Sequence, residues 1–130
     1  MAIIKILLVD DDPEITMSLK VVLESRQYEV FVAHSKQEGM DAINKNKPSL
    51  IIMDVMMESM SDGFDLASEV KNHSDYKDIP ILLYTGIDNT TGLNFKSAFG
   101  STRHIPANAF LEKPATSQAL IEQVELLLSK

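Results

Sequence analysis

Apolar positions along this chain alternate between short unbroken runs and stripes at helical spacing. Ile3-Ile4-Lys5-Ile6-Leu7-Leu8-Val9 is apolar except for Lys5. Leu50-Ile51-Ile52-Met53 and Ile81-Leu82-Leu83-Tyr84-Thr85 are runs of the same kind, the first leading into Asp54 and the second closed by Gly86. Such runs suit strands buried on both faces, as in a parallel sheet covered by helices. Tyr28-Glu29-Val30-Phe31-Val32-Ala33 is shorter and rich in β-branched and aromatic residues, which predicts a second strand. Ala109-Phe110-Leu111 predicts a fifth, ending at Glu112-Lys113-Pro114.

Between these runs the period changes from strand to helix. Asp12 suits an N-cap and Pro13 a first helical position, so a helix begins there, carries Ile15, Leu19, Val22 and Leu23 on one stripe, and ends near Arg26-Gln27. Ser35 with Glu38 three residues on has the form of a capping box and opens a second helix, which Asn44 to Pro48 close. Phe64, Leu66, Ala67 and Val70 mark a third. From about Ser117 a last helix sets Leu120, Ile121, Val124, Leu127 and Leu128 on one face. The segment 87–108 is weakly periodic, with Gly92, Gly100 and Pro106, and a short helix is expected within 93–99.

Five alternations of strand and helix predict an α/β fold, a doubly wound parallel sheet of five strands flanked by about five helices. The 130 residues make one domain, 1–130, with no internal repeat. Twelve basic against nineteen acidic residues give a net charge of −7, and the basic residues do not cluster, which argues against direct nucleic-acid binding. The absence of cysteine removes disulfides, thiolate metal sites and cysteine nucleophiles together. No apolar run reaches the length of a membrane span and no basic leader opens the chain, so the expected location is the cytoplasm, away from membranes.

The candidate chemistry collects at strand ends. Asp10 and Asp11 follow the first strand, Asp54 ends the third, Thr85 ends the fourth and Lys113 follows the fifth. Open α/β sheets place ligands at the carboxyl ends of their strands, beside the point where strand order reverses. Carboxylates without cysteine or a suitably paired histidine favour a hard cation, with Mg²⁺ the usual choice when phosphate completes its shell. Asp54, at the end of an apolar run, then reads as a nucleophile toward a phosphoryl group, with a hydroxyl and an ammonium to hold the phosphoryl oxygens. Each residue also has a plainer reading. Asp12 is better taken as a helix cap, Asp10 and Asp11 alone divide evenly between helix-terminal charges and metal ligands, Thr85 alone suits a strand end, and Lys113 alone suits a solvated surface. Met53, Met56, Met57 and Met60 suit packing rather than a soft-metal site, and His34, His73 and His104 read as surface residues.

The segments Leu8-Val9-Asp10-Asp11-Asp12-Pro13, Ile51-Ile52-Met53-Asp54-Val55-Met56-Met57, Asp62-Gly63-Phe64, Ile79-Pro80-Ile81-Leu82-Leu83-Tyr84-Thr85 and Phe110-Leu111-Glu112-Lys113-Pro114, in this order, resemble the receiver domain of two-component response regulators. The resemblance implies a flavodoxin-like, CheY-like fold with strand order 2-1-3-4-5. It implies that Asp54 accepts a phosphoryl group from a phosphohistidine on a sensor histidine kinase or a histidine phosphotransfer protein. Asp10, Asp11, Asp54 and the backbone carbonyl of Met56 would then hold Mg²⁺, while Thr85 and Lys113 would bond phosphoryl oxygens. Phe110 matches an aromatic switch that, with Thr85, couples phosphorylation to the face of the last strand and its neighbouring helices. Such a protein is a signalling phosphoacceptor rather than an enzyme acting on a separate substrate, and its output passes to a downstream protein by surface contact.

Glu58 stands where the family commonly has Pro, Ser61 is an added residue, Ala115 replaces a bulkier apolar residue, and the interval from Thr85 to Lys113 is long. The changed loop at Glu58 and Ser61 keeps one alternative open, a pseudo-receiver that binds proteins without being phosphorylated, while the long interval and Ala115 bear on the usual output face. A small haloacid-dehalogenase-like phosphatase is the other rival, but it expects Asp-x-Asp on the nucleophile strand, and Asp54-Val55-Met56 does not supply it.

Overall fold

The computed structural model describes residues 3–53, 62–86, 108–113 and 116–129. Strands β1 (Lys5–Val9), β2 (Glu29–Ala33), β3 (Leu50–Met53), β4 (Ile81–Gly86) and β5 (Ala109–Lys113) form one parallel sheet in the order β2-β1-β3-β4-β5. Among the described residues the helices are α1 (Pro13–Glu24), α2 (Lys36–Asn46), α3 (Asp62–Lys71) and α4 (Ser117–Leu128). The short helix expected within 93–99 lies outside the described residues.

The apolar runs are continuous because both faces of the sheet are covered. Leu7, Val9, Ile51, Met53, Ile81 and Leu83 pack on one side with Ile43 of α2 and Leu66, Ala67 and Val70 of α3. Their alternate neighbours Ile6, Leu8, Leu50, Ile52, Leu82 and Tyr84 pack on the other with Leu19 and Leu23 of α1 and Leu120, Ile121, Val124 and Leu127 of α4. Successive side chains of a strand point to opposite faces, so a run apolar at every position fills two cores at once. Burying one such side chain is worth roughly 1.5–3 kcal/mol relative to leaving it exposed. Among the described residues no helix is long and apolar enough to cross a membrane.

Element ends differ from the sequence expectation by one to three residues where packing gives out. Ile3 and Ile4 extend the first apolar run but are 62% and 36% exposed, since the register with β2 starts at Lys5 with Glu29 and Ile4 joins it only through its carbonyl, which accepts the Glu29 N–H at 2.9 Å. The first helix stops at Glu24, with Gln27 at φ 69° turning the chain toward β2. The fifth strand continues through Glu112 and Lys113, which pair with Thr85 and Gly86. Lys113 is therefore the last residue of a strand rather than the first residue after one.

Gly39 sets how closely α2 lies on the sheet. A Cβ added there would stand 2.9 Å from Leu66 Cδ2 and 3.5 Å from both Val9 methyl groups. Glycine thus lets α2 sit against Val9, the last residue of β1, and against α3 at once. The α2–α3 contact is tied at its rim by an ion pair between Lys36 Nζ and Glu69 Oε1 at 2.9 Å. On the far end of the sheet, Asn108 bonds Ile81 twice, donating its backbone N–H to the Ile81 carbonyl at 2.8 Å and accepting the Ile81 N–H on its side-chain oxygen at 2.9 Å. These bonds fix the register of β5 on β4.

Candidate functional site

The carboxyl ends of all five strands open on one edge, since the sheet is wholly parallel. Val9 is in register with Ala33 on one side and Met53 on the other, and Met53 is in register with Leu83. Asp10 leaves β1 at this level, and Asp54 follows Met53 in the sequence. Thr85 lies two residues beyond Leu83 on β4, and Lys113 of β5 pairs with Gly86 just past it. Phe110 lies lower on β5, opposite Leu83. The strand ends that carry the acidic, hydroxyl and lysine candidates are therefore neighbours in one sheet. Asp54, Met56 and His104 lie outside the described residues, as do Glu58, Ser61, Pro106 and Ala115.

The three consecutive aspartates adopt three different environments. Asp10 is 5% exposed. Its Oδ1 accepts the Asp12 backbone N–H at 2.9 Å, a bond from residue i to i+2 that closes the turn out of β1. Burying a carboxylate is costly without such partners, so the turn is built around it. Asp11 is exposed at the same edge. Asp12 is the cap of α1, its Oδ1 accepting the N–H groups of Glu14 at 2.9 Å and Ile15 at 3.5 Å, with Pro13 following as the first helical residue. Thr16 is buried on that first turn, its hydroxyl donating to the Pro13 carbonyl at 3.1 Å.

Asp10 is held from a second direction by the end of β2. Its backbone N–H donates to the Ala33 carbonyl at 3.0 Å, and its own carbonyl lies 3.0 Å from His34 Nδ1. A carbonyl only accepts, so Nδ1 carries the hydrogen. His34 is exposed, as expected of a surface histidine, yet its ring is engaged at the candidate site. No spacing along the chain signals this contact, because 24 residues separate the partners and only the β1–β2 register brings them together. The start of α2 anchors His34 in turn. Glu38 Oε1 accepts the His34 backbone N–H at 2.9 Å while Ser35 Oγ accepts the Glu38 N–H at 3.1 Å. The capping box forms with its return bond one residue earlier than the usual pattern.

His73 departs further from the surface reading. It is half-buried, stacked on Tyr76 with ring centroids 4.3 Å apart, and its Nδ1 accepts the Asp75 N–H at 3.1 Å. It belongs to the α3–β4 connection at the opposite edge of the sheet. Tyr76 locks that connection to α2 by donating its hydroxyl hydrogen to Asn44 Oδ1 at 2.7 Å.

The donor set at the strand ends suits a hard divalent cation. Asp10 and Asp11 offer carboxylate oxygens, and cysteine is absent from the chain. Among the described residues no three His, Cys, Asp or Glu side chains converge as a complete metal site. Asp10 and Asp11 are carboxylates on this edge that could contribute ligands to such an ion.

The family model of the response regulator receiver domain matches residues 6–125. Response regulator MprA of Mycobacterium tuberculosis (strain H37Rv) is 29% identical over 127 residues, covering 98% of this chain and 51% of the relative. The chain thus spans about half the length of the curated relatives it matches. Among solved structures, a putative response regulator from Chloroflexus aurantiacus superposes with a TM-score of 0.85 at 33% identity, covering 99% of this chain and all of that one. The receiver domain of a signal transduction histidine kinase from Syntrophus aciditrophicus gives a TM-score of 0.82 at 30% identity, covering 96% of this chain and 89% of that one. The chain belongs to the response regulator receiver domain family of two-component signalling.

Proposed function

We propose that this receiver is a phosphoacceptor and that Asp54 carries the phosphoryl group. The observation that supports this best is the in-register set of strand ends. Val9 and Met53, which precede Asp10 and Asp54, are paired on adjacent strands, and Lys113 pairs with Gly86 beside Thr85. A buried carboxylate at Asp10 and an exposed one at Asp11 sit on the same edge.

In this reading the donor is a phosphohistidine on a sensor histidine kinase or a histidine phosphotransfer protein. A carboxylate oxygen of Asp54 attacks phosphorus in line with the leaving imidazole nitrogen. The O–P bond forms as the P–N bond breaks, and the bonding pair returns to the imidazole, which takes up a proton. Asp10, Asp11, Asp54 and the Met56 carbonyl are the residues that would hold Mg²⁺. When bound, that ion supplies positive charge against the phosphoryl oxygens. Lys113 offers its ammonium to a phosphoryl oxygen and Thr85 its hydroxyl to another, with Phe110 answering the change at Thr85. Water hydrolysis of the acyl phosphate resets the protein. The chain acts in the cytoplasm and passes its signal to a downstream protein by surface contact.

Transfer from an autophosphorylated histidine kinase tests the reading. Label is expected to leave the kinase and appear on this chain in the presence of Mg²⁺ and to remain on the kinase when the ion is chelated. A chain that takes no label from any of several phosphorylated kinases, nor from a small acyl phosphate, would instead be a pseudo-receiver.

A further inference from the structure

We propose that His34 is a positioning residue for the acidic site, its Nδ1–H holding the Asp10 carbonyl and so the turn that presents Asp10 and Asp11. The inference rests on the phosphoacceptor reading above and assigns the work of holding its cation ligands. Both backbone polar groups of Asp10 are taken by two consecutive residues at the end of β2, the N–H by the Ala33 carbonyl and the carbonyl by the His34 ring, each at 3.0 Å. The ladder between β1 and β2 ends with the first of these bonds. The next acceptor along β1 is the Asp10 carbonyl, and a side chain meets it.

That carbonyl belongs to the peptide joining Asp10 to Asp11, so fixing it fixes the plane from which Asp11 departs. On the other side, Asp10 Oδ1 receives the Asp12 N–H at 2.9 Å. The turn is thereby held at its main chain by β2 and at its side chain by the start of α1. His34 is firm enough for this task. Glu38 holds its backbone N–H, Ser35 caps α2 behind it, and the close seat of Gly39 on Val9 fixes α2 against β1. The bond needs a donor two bonds beyond Cβ. Asparagine places its amide nitrogen at the same distance along the side chain as Nδ1, and alanine places nothing there.

The test uses the full chain as wild type, His34→Ala and His34→Asn, at one pH, with folding checked by circular dichroism. Amide hydrogen exchange at Asp12, whose N–H bonds Asp10 Oδ1, measured without metal, reads the turn itself. Mg²⁺ titration and the rate of labelling by a small acyl phosphate read its consequence. His34→Ala is expected to speed exchange at the Asp12 amide and to weaken Mg²⁺ affinity by about threefold to tenfold, the range one lost hydrogen bond gives. His34→Asn is expected to restore both to within about twofold of wild type, by the same hydrogen-bond arithmetic. Wild-type values in His34→Ala, or His34→Asn behaving like His34→Ala, would overturn the positioning role while a labelled wild type leaves the phosphoacceptor reading standing. A wild type that neither binds Mg²⁺ nor takes label would remove both.

Discussion

Asp11 and Asp12 are adjacent, both exposed and both acidic, and single substitutions should separate them completely. Asp12→Ala removes the acceptor for the Glu14 and Ile15 N–H groups, at 2.9 and 3.5 Å. Pro13 has no N–H to lose, and the Thr16 N–H keeps its bond to the Asp12 carbonyl at 3.2 Å. The cap is therefore worth about 1 kcal/mol, the middle of the measured range for such caps, with the carboxylate–dipole attraction included. For a domain of this size that is a fall of about 4 °C in Tm. Mg²⁺ should stabilise this variant and the wild type alike. At a concentration about 100 times Kd the ion adds about 2.7 kcal/mol to the unfolding free energy. Asp11→Ala should show the reverse. Without metal its stability stays within about 0.5 kcal/mol of wild type, as for other exposed positions. If its affinity falls a hundredfold, the same Mg²⁺ concentration adds only about 0.4 kcal/mol. Urea unfolding at pH 7, with and without Mg²⁺, reads all four quantities. An Asp12→Ala variant that loses the Mg²⁺ response while Asp11→Ala keeps it would refute the division of roles.

Two other perturbations probe the scaffold beneath the site. Gly39→Leu drives side-chain atoms into Leu66 and Val9, and overpacking of this kind costs about 1–3 kcal/mol. The urea midpoint should drop with an unchanged slope, and an unchanged midpoint would show that the seat of α2 is not tight. Lys71 donates to the Ile79 carbonyl at 2.8 Å and the Lys77 carbonyl at 3.3 Å, and burial lowers its pKa from the ordinary lysine value, against a smaller opposing effect of Asp78. Between the folded and unfolded values the unfolded chain binds more protons, so this group adds stability as pH rises through that alkaline window. Lys71→Met should lack that increment in unfolding measured across the window, and an identical pH slope in variant and wild type would contradict the assignment.

The parallel sheet was legible because its strands are buried on both sides, which forces apolar runs with no alternation. The starts of α1 and α2 were legible for a different reason, since Asp12-Pro13 and Ser35 with Glu38 are local signals that need no tertiary context. Strand ends were less legible. Ile3 and Ile4 look like core residues, yet both side chains are exposed and only the Ile4 carbonyl is reached by β2, and Glu112-Lys113 look like the close of the fifth strand, yet they still pair with Thr85 and Gly86. The distinct environments of Asp10, Asp11 and Asp12 follow from the turn geometry rather than from residue type. His34 was the least legible of all. Its role depends on register between β1 and β2, and nothing in the residues around it distinguishes it from a solvated histidine.

The central claim is that one carboxylate, Asp54, takes the phosphoryl group. Intact-mass measurement of the wild type after incubation with Mg²⁺ and acetyl phosphate tests it most directly, with Asp54→Asn treated in parallel. The account predicts that the wild type gains the mass of one phosphoryl group, that the gain is lost on base treatment as an acyl phosphate requires, and that Asp54→Asn gains nothing. A wild type that stays at its unmodified mass, or an Asp54→Asn variant that gains the same mass, would contradict it.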